Sequence, residues 1–292
     1  MRILVTNDDG IAAEGLSILR RIALELSSDV WVIAPEWNQS GASHSMTLHE
    51  PLRLRQMDER TFVIRGTPTD CVIMGVRHLL IDHPPDLVLS GVNHGSNLAE
   101  DVTYSGTIAA AIEGTLLGIR SIAMSQVGGS VEEGKIHWET PLAHGPALVS
   151  KLLDTGWPTG IVLNVNYPPC ASADVAGTEV TRQGCRDQAL LNIDKRNDPW
   201  GMAYFWFGFE RPPSTLVAGT DLAAIDNARI SVTPLCLNLT HDATCDALES
   251  AFSPAKPRKT AKRVCLTPSP ASPPDAGLAT SPPGRGEGRR KP

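Results

Sequence analysis

Two carboxylates stand side by side in the opening segment Ile3-Leu4-Val5-Thr6-Asn7-Asp8-Asp9-Gly10. Adjacent anions repel unless a cation holds them, and a hard divalent metal takes oxygen ligands of this kind. The alternative is that one Asp caps the helix that follows, but a cap needs a single carboxylate. Two loops offer more oxygen. Asn38-Gln-Ser40-Gly-Ala-Ser-His44 is small, polar and glycine-bearing, so its amides and hydroxyls can approach an anion closely. Ser90-Gly-Val-Asn93-His-Gly-Ser-Asn97 supplies Asn93, whose neutral amide oxygen suits a cation already held by two carboxylates. His94 beside it reads as a supporting or structural residue.

A fourth segment, Tyr104-Ser105-Gly106-Thr107, opens a helical run. The free N–H groups and positive dipole end of such a helix attract phosphate, and hydroxyls add donors. Each segment alone reads as an ordinary turn or cap. A carboxylate pair, amide oxygens and a phosphate cradle in one crevice point to metal-assisted phosphoryl chemistry.

Several other chemistries lack their residues. The eight histidines contain no H-x-x-x-H or H-E-x-x-H, and the six cysteines form no C-x-x-C pair. A zinc site or disulfide scaffold is therefore not expected, and the thiols are read as reduced. Neither G-x-G-x-x-G nor G-x-x-x-x-G-K-[ST] occurs, so the common nucleotide-cofactor fingerprints are missing. An aspartyl-phosphate enzyme with Asp8 as nucleophile expects acidic residues two apart, whereas position 10 is glycine. A sensor that binds a nucleotide without turning it over stays open, and turnover by pure protein separates it from an enzyme.

The elements that position these residues follow from hydrophobic pattern. Ile3–Thr6 is a short apolar run of a strand buried on both faces, and Leu16, Leu19, Ala23 and Leu26 fall at helical spacing over 13–26. Strand signals recur at Val30–Ala34, Arg53–Gln56, Phe62–Ile64, Leu87–Leu89, Ser121–Met124 and Ile161–Val165. Helical stretches lie at about 70–81, 107–117 and 138–153. This alternation predicts an α/β fold with a mostly parallel sheet covered by helices, its site loops at the carboxyl edge where open sheets bind ligands. Arg53 to Ile64 is too short a link for a crossover and reads as a hairpin. The aromatic run 202–209 suits strand pairing, 220–227 a short helix and 230–235 another strand.

Of 292 residues, 41% are hydrophobic and 20% charged, which fits a soluble globular protein with one large core. No run approaches the ~18 apolar residues of a membrane helix, and the chain enters its first strand at once, which argues against a signal peptide. A cytoplasmic location is expected. Residues 255–292 hold nine of the 26 Lys/Arg and two of the 32 Asp/Glu, leaving the body with 17 basic and 30 acidic side chains. So acidic a body is a poor partner for duplex nucleic acid, while a small phosphorylated substrate remains compatible. From Ser253 the chain is rich in Pro, Ser, Gly and Arg, so 254–292 is expected to be a disordered basic tail following a domain over 1–253.

Six blocks in order resemble the SurE (survival protein E) family: Asn7-Asp-Asp-Gly10, Asn38-Gln-Ser-Gly-Ala-Ser43, Gly66-Thr-Pro-Thr-Asp-Cys71, Ser90 to Asn97, Tyr104-Ser-Gly-Thr107 and Ser231-Val-Thr-Pro-Leu235. The resemblance spans roughly residues 1 to 245. It implies a metal-dependent 5′-nucleotidase, with activity on 3′-nucleotides and short polyphosphate in some members. By the same resemblance Asp8, Asp9, Ser40 and Asn93 hold one divalent ion per subunit, Mg²⁺ or Mn²⁺, with Asp8 and Asp9 central to catalysis. Asn97, Ser105, Gly106 and Thr107 take the phosphate and substrate. It further implies a Rossmann-like sheet with a C-terminal β-hairpin region, about 190–235, exchanged in a homodimer or homotetramer. Asn227 replaces a glycine usual in the family, a change that Asn tolerates through left-handed backbone.

Overall fold

The computed structural model describes residues 1–128, 136–186, 191–209 and 216–252. β1 (Arg2–Thr6) lies mid-sheet, paired in parallel with β2 (Asp29–Pro35) on one side and β5 (Leu87–His94) on the other. Beyond β2 come β4 (Thr61–Arg65), parallel to it, and β3 (Arg53–Asp58), antiparallel to β4 at an exposed edge. Beyond β5 the parallel run continues through β6 (Arg120–Gln126) and β7 (Ile161–Tyr167). β11 (Ile230–Cys236) then runs antiparallel to β7 and parallel to the short β8 (Thr178–Val180). The nine-stranded order β3-β4-β2-β1-β5-β6-β7-β11-β8 makes the β1/β5 boundary the place where the chain reverses its outward progression. Crevices form at such switch points because the connections leave in opposite directions.

Alternation of side chains across the sheet explains two cores. Ile3, Val5, Val32 and Leu89 face α1 (Glu14–Leu26), which presents Leu16, Leu19, Ile22 and Ala23, and α4 (Glu139–Thr155), which adds Leu148 and Val149. Leu4, Ile33, Ile64 and Val88 face the other way, against Cys71 and Val72 of α2 (Pro68–Met74) and Ala110 of α3 (Gly106–Leu116). The fold is thus α/β, mostly parallel, with helices on both faces. The helix predicted over 70–81 is divided: α2 ends at Met74 and a π-helical turn, Gly75–Leu79, completes it.

After residue 190 the chain does two things. β9 (Leu191–Asn197) and β10 (Ala203–Phe209) form a separate antiparallel pair that exposes Tyr204, Phe205, Trp206 and Phe207. Among the described residues the paired strands of the hairpin cover 191–209, and α5 (Asp221–Asp226) and β11, within the expected 190–235 region, belong to the main body. Asn227 has φ −87°, and the positive φ of this turn, 52°, falls on Ala228. α6 (Asp242–Phe252), which the sequence pattern does not predict, ends the described chain without a buried residue. The stretch 254–292 lies outside the described residues. No helix among the described residues is long and apolar enough to cross a membrane.

Candidate active site

The turn after β1 is shaped from within. Asn7 is fully buried and its amide nitrogen donates to Gly10 O at 2.9 Å. That bond closes the turn and leaves Asp8 and Asp9 at its tip, while the Asn7 amide oxygen is buried with no partner among the described residues. The Asp8 carbonyl accepts the Gln39 N–H at 2.7 Å, which seats the loop after β2 directly over the carboxylates. Asn38 contributes twice: its amide oxygen accepts the Ser40 N–H at 2.7 Å, and its amide nitrogen lies 3.4 Å from Asp9 Oδ1. Asp9 Oδ2 accepts the backbone N–H of His94 at 2.9 Å.

At the end of β5 the Asn93 amide nitrogen donates to Gly95 O at 2.9 Å, which turns the amide oxygen the other way. The strand is irregular here, with a register break between Ser90 and Asn93 and a cis Gly91–Val92 peptide. Gly91 has φ +130°, and a β-carbon there would stand 2.1 Å from Met124 O, so no other residue fits.

α3 begins against Asp8. A β-carbon on Gly106 would lie 2.8 Å from Asp8 Cβ, so glycine is what lets the helix start approach the carboxylate. Ser105 caps the helix, its Oγ accepting the Ile108 N–H at 3.0 Å and keeping its own O–H to donate. Thr107 is fully buried, and its hydroxyl donates to Asp8 Oδ1 at 2.5 Å. The hydroxyl expected to meet a phosphate is therefore committed to Asp8.

Asp8 is 3% exposed. Burial pushes its carboxyl up to about 6; the Thr107 hydroxyl pulls it down, the charge of Asp9 raises it, and the N–H groups of Asp8 and Thr107 lower it again. A buried carboxylate beside a second anion, in a cleft with no lysine or arginine among its described lining residues, is an electrostatic deficit.

These loops enclose a cleft of about 550 Å³ lined by Asp8, Ser40, Asn93, Asn97, Asp101 and Ser105, with His94, Tyr104 and Phe207 among the others. Asp9, Gly106 and Thr107 are not among its lining residues. Among the described lining residues there is no lysine or arginine. The oxygen set of Asp8, Asp9, Ser40 and Asn93, with the amide nitrogen of Asn93 turned away, fits a hard divalent cation. Among the described residues no group of three or more His, Cys, Asp or Glu is arranged for a metal, so a cation here would draw on the amide and hydroxyl oxygens of Asn93 and Ser40 as well as on carboxylates.

The chain from residue 3 to 189 matches the family model for survival protein SurE. It belongs to the SurE family. A relative from Methylobacterium radiotolerans named 5′-nucleotidase SurE is 58% identical over 253 residues, covering 87% of this chain and all of the relative. Another of that name, from Rhodopseudomonas palustris, is 56% identical over 254 residues, with 86% and 100% covered. The crystal structure of the SurE protein from Aquifex aeolicus superposes with a TM-score of 0.75 at 40% identity, over 87% of this chain and 100% of that one.

Inside this SurE cleft, sequence reasoning did not find the floor. Asn97 lines the cleft on a buried polar network: its N–H donates to Asn166 Oδ1 at 2.9 Å, and its carbonyl accepts Asn164 Nδ2 at 2.8 Å and Asn166 Nδ2 at 3.2 Å. Its own amide nitrogen donates to Ser125 Oγ at 2.8 Å. The signal existed, since Asn164 and Asn166 alternate within the otherwise apolar β7, placing both on one face of a buried strand. Asp101 and Tyr104 of the cleft wall carried no comparable mark.

Proposed function

We propose that this chain is a divalent-metal-dependent phosphomonoesterase that hydrolyses nucleoside monophosphates to nucleoside and phosphate. The observation that carries the reading is the placement of Asp8, Ser40 and Asn93 in one cleft with the start of α3. Full-length similarity to relatives named 5′-nucleotidase supports the substrate class and a hydrolase reaction. Asp8, Asp9, Ser40 and Asn93 would hold Mg²⁺ or Mn²⁺, which would supply Lewis acidity and activate water for attack.

The chain's own groups divide the remaining work. Ser105, with a free O–H, and the first N–H of α3 at Gly106 hold phosphoryl oxygens as charge redistributes, a preorganised electrostatic role. Asn97 fixes the opposite wall. Thr107 keeps Asp8 ionised and oriented by donating to it. Phe207, from the hairpin, brings an apolar surface to the cleft mouth for the organic part of the substrate. The exposed aromatics of β10 support a homodimer or homotetramer built through this hairpin.

Hydrolysis of a panel of 5′- and 3′-nucleoside monophosphates and short polyphosphate, with each metal added to purified protein, tests the reading. Phosphate release from a nucleoside monophosphate is the expected outcome; binding without release would make the protein a sensor.

A further inference from the structure

Among its described lining residues, the cleft that is to accept a phosphate dianion has two acidic side chains, Asp8 and Asp101, and no lysine or arginine. Asp8 belongs to the cation set. Asp101 does not, yet it is buried at 7% exposure in the turn Ala99–Thr103 between Asn97 and Ser105. Behind it stands Arg186, its side chain 6% exposed, with Nη2 donating to Asp101 Oδ2 at 3.0 Å. The same guanidinium donates through Nη1 to Leu98 O at 3.1 Å and lies 3.4 Å from Glu100 Oε2. Glu100 is 37% exposed, so water screens most of its charge, whereas the Asp101–Arg186 pair is shielded from solvent.

We propose that Arg186 is a positioning residue of the phosphate cleft: its guanidinium offsets the charge of Asp101 in the lining where the phosphoryl group binds. This rests on reading the cleft as a phosphate site. Arg186 lies outside the lining and touches no substrate; it acts through Asp101. A carboxylate there that loses this guanidinium repels phosphate more and attracts a cation more, so the effects on the two ligands have opposite signs. A purely structural arginine, by contrast, holds the 98–101 turn, and its loss disturbs both ligands in the same direction.

Calorimetric titration of inorganic phosphate into metal-loaded protein, and of the metal alone into metal-free protein, separates these. Arg186→Met is expected to weaken phosphate binding about ten- to a hundredfold without weakening the metal. Adding Asp101→Asn to that variant restores phosphate affinity to within about threefold of the starting protein. Asp101→Asn alone tightens phosphate several-fold, a result that stands even where Arg186→Met fails to fold. No rescue in the double variant, metal affinity falling with phosphate affinity, or Asp101→Asn weakening phosphate each overturns the assignment. If this pattern holds while no nucleoside monophosphate is hydrolysed, the proposed reaction fails and the Arg186 assignment survives.

Discussion

The Thr107 hydroxyl donates to Asp8 Oδ1 across 99 positions of sequence, joining the first turn of α3 to the carboxylate that ends β1. The helix start is therefore tied directly to Asp8, the carboxylate proposed to hold the metal. Thr107→Val should lower metal affinity and move the acid limb of activity to higher pH, because Asp8 loses a donor that favours its charged form. Stability should drop by about 1–3 kcal/mol, and Thr107→Ser should recover most of it. Unchanged metal affinity in the valine variant would contradict this.

Asp8 has a second consequence, for stability. Its carboxyl titrates at about 6 in the folded chain against an ordinary aspartate value of 3.8, so between those values the native state binds more protons than the unfolded one. Stability therefore falls as pH rises through this window. In metal-free protein the penalty is absent below about pH 4 and fully present above about pH 6, on the order of 3 kcal/mol. Asp8→Asn removes it, so the metal-free variant should resist urea better than the parent near neutral pH and equally near pH 4. A variant less stable than the parent at neutral pH would count against the buried, uncompensated carboxylate.

Asn166→Ala probes the floor. It strips both the acceptor of the Asn97 N–H and one donor to the Asn97 carbonyl, leaving a buried N–H unsatisfied. We expect a loss of about 1–3 kcal/mol and a raised KM with metal affinity unchanged. Steady-state kinetics with a metal titration and a urea melt read all three.

The sheet and its helices were legible because each leaves a local mark: Ile3–Thr6 and Leu87–Leu89 are apolar runs, and α1 repeats its apolar face at helical spacing. Asp8, Ser40, Asn93 and Ser105 were legible as polar residues at the strand ends and the helix start that such a sheet brings to one edge, and the structure places them in one cleft. What was hidden depends on long-range pairing. Nothing local tells that Thr107 points back at Asp8, or that Arg186 reaches Asp101, 85 positions earlier. β11 also read only as a strand, since its antiparallel place beside β7 is a property of the whole sheet.

Asp9→Asn isolates the second carboxylate. Asp9 Oδ2 accepts the His94 N–H, a bond the amide oxygen of an asparagine can also accept, so the variant should keep its fold. Removing one anionic ligand should lower activity by orders of magnitude at low metal, with partial recovery as metal is raised. Turnover near that of the parent at low metal would take Asp9 out of the cation site.

The most direct measurement of the central claim is the rate of phosphate release from a nucleoside 5′-monophosphate by purified protein as free Mg²⁺ or Mn²⁺ is varied, with circular dichroism recorded on the same samples. The account predicts no release under chelation with the fold intact, and saturable recovery when metal returns. Release that persists undiminished in chelator, or that survives Asp8→Asn at low metal, would contradict it.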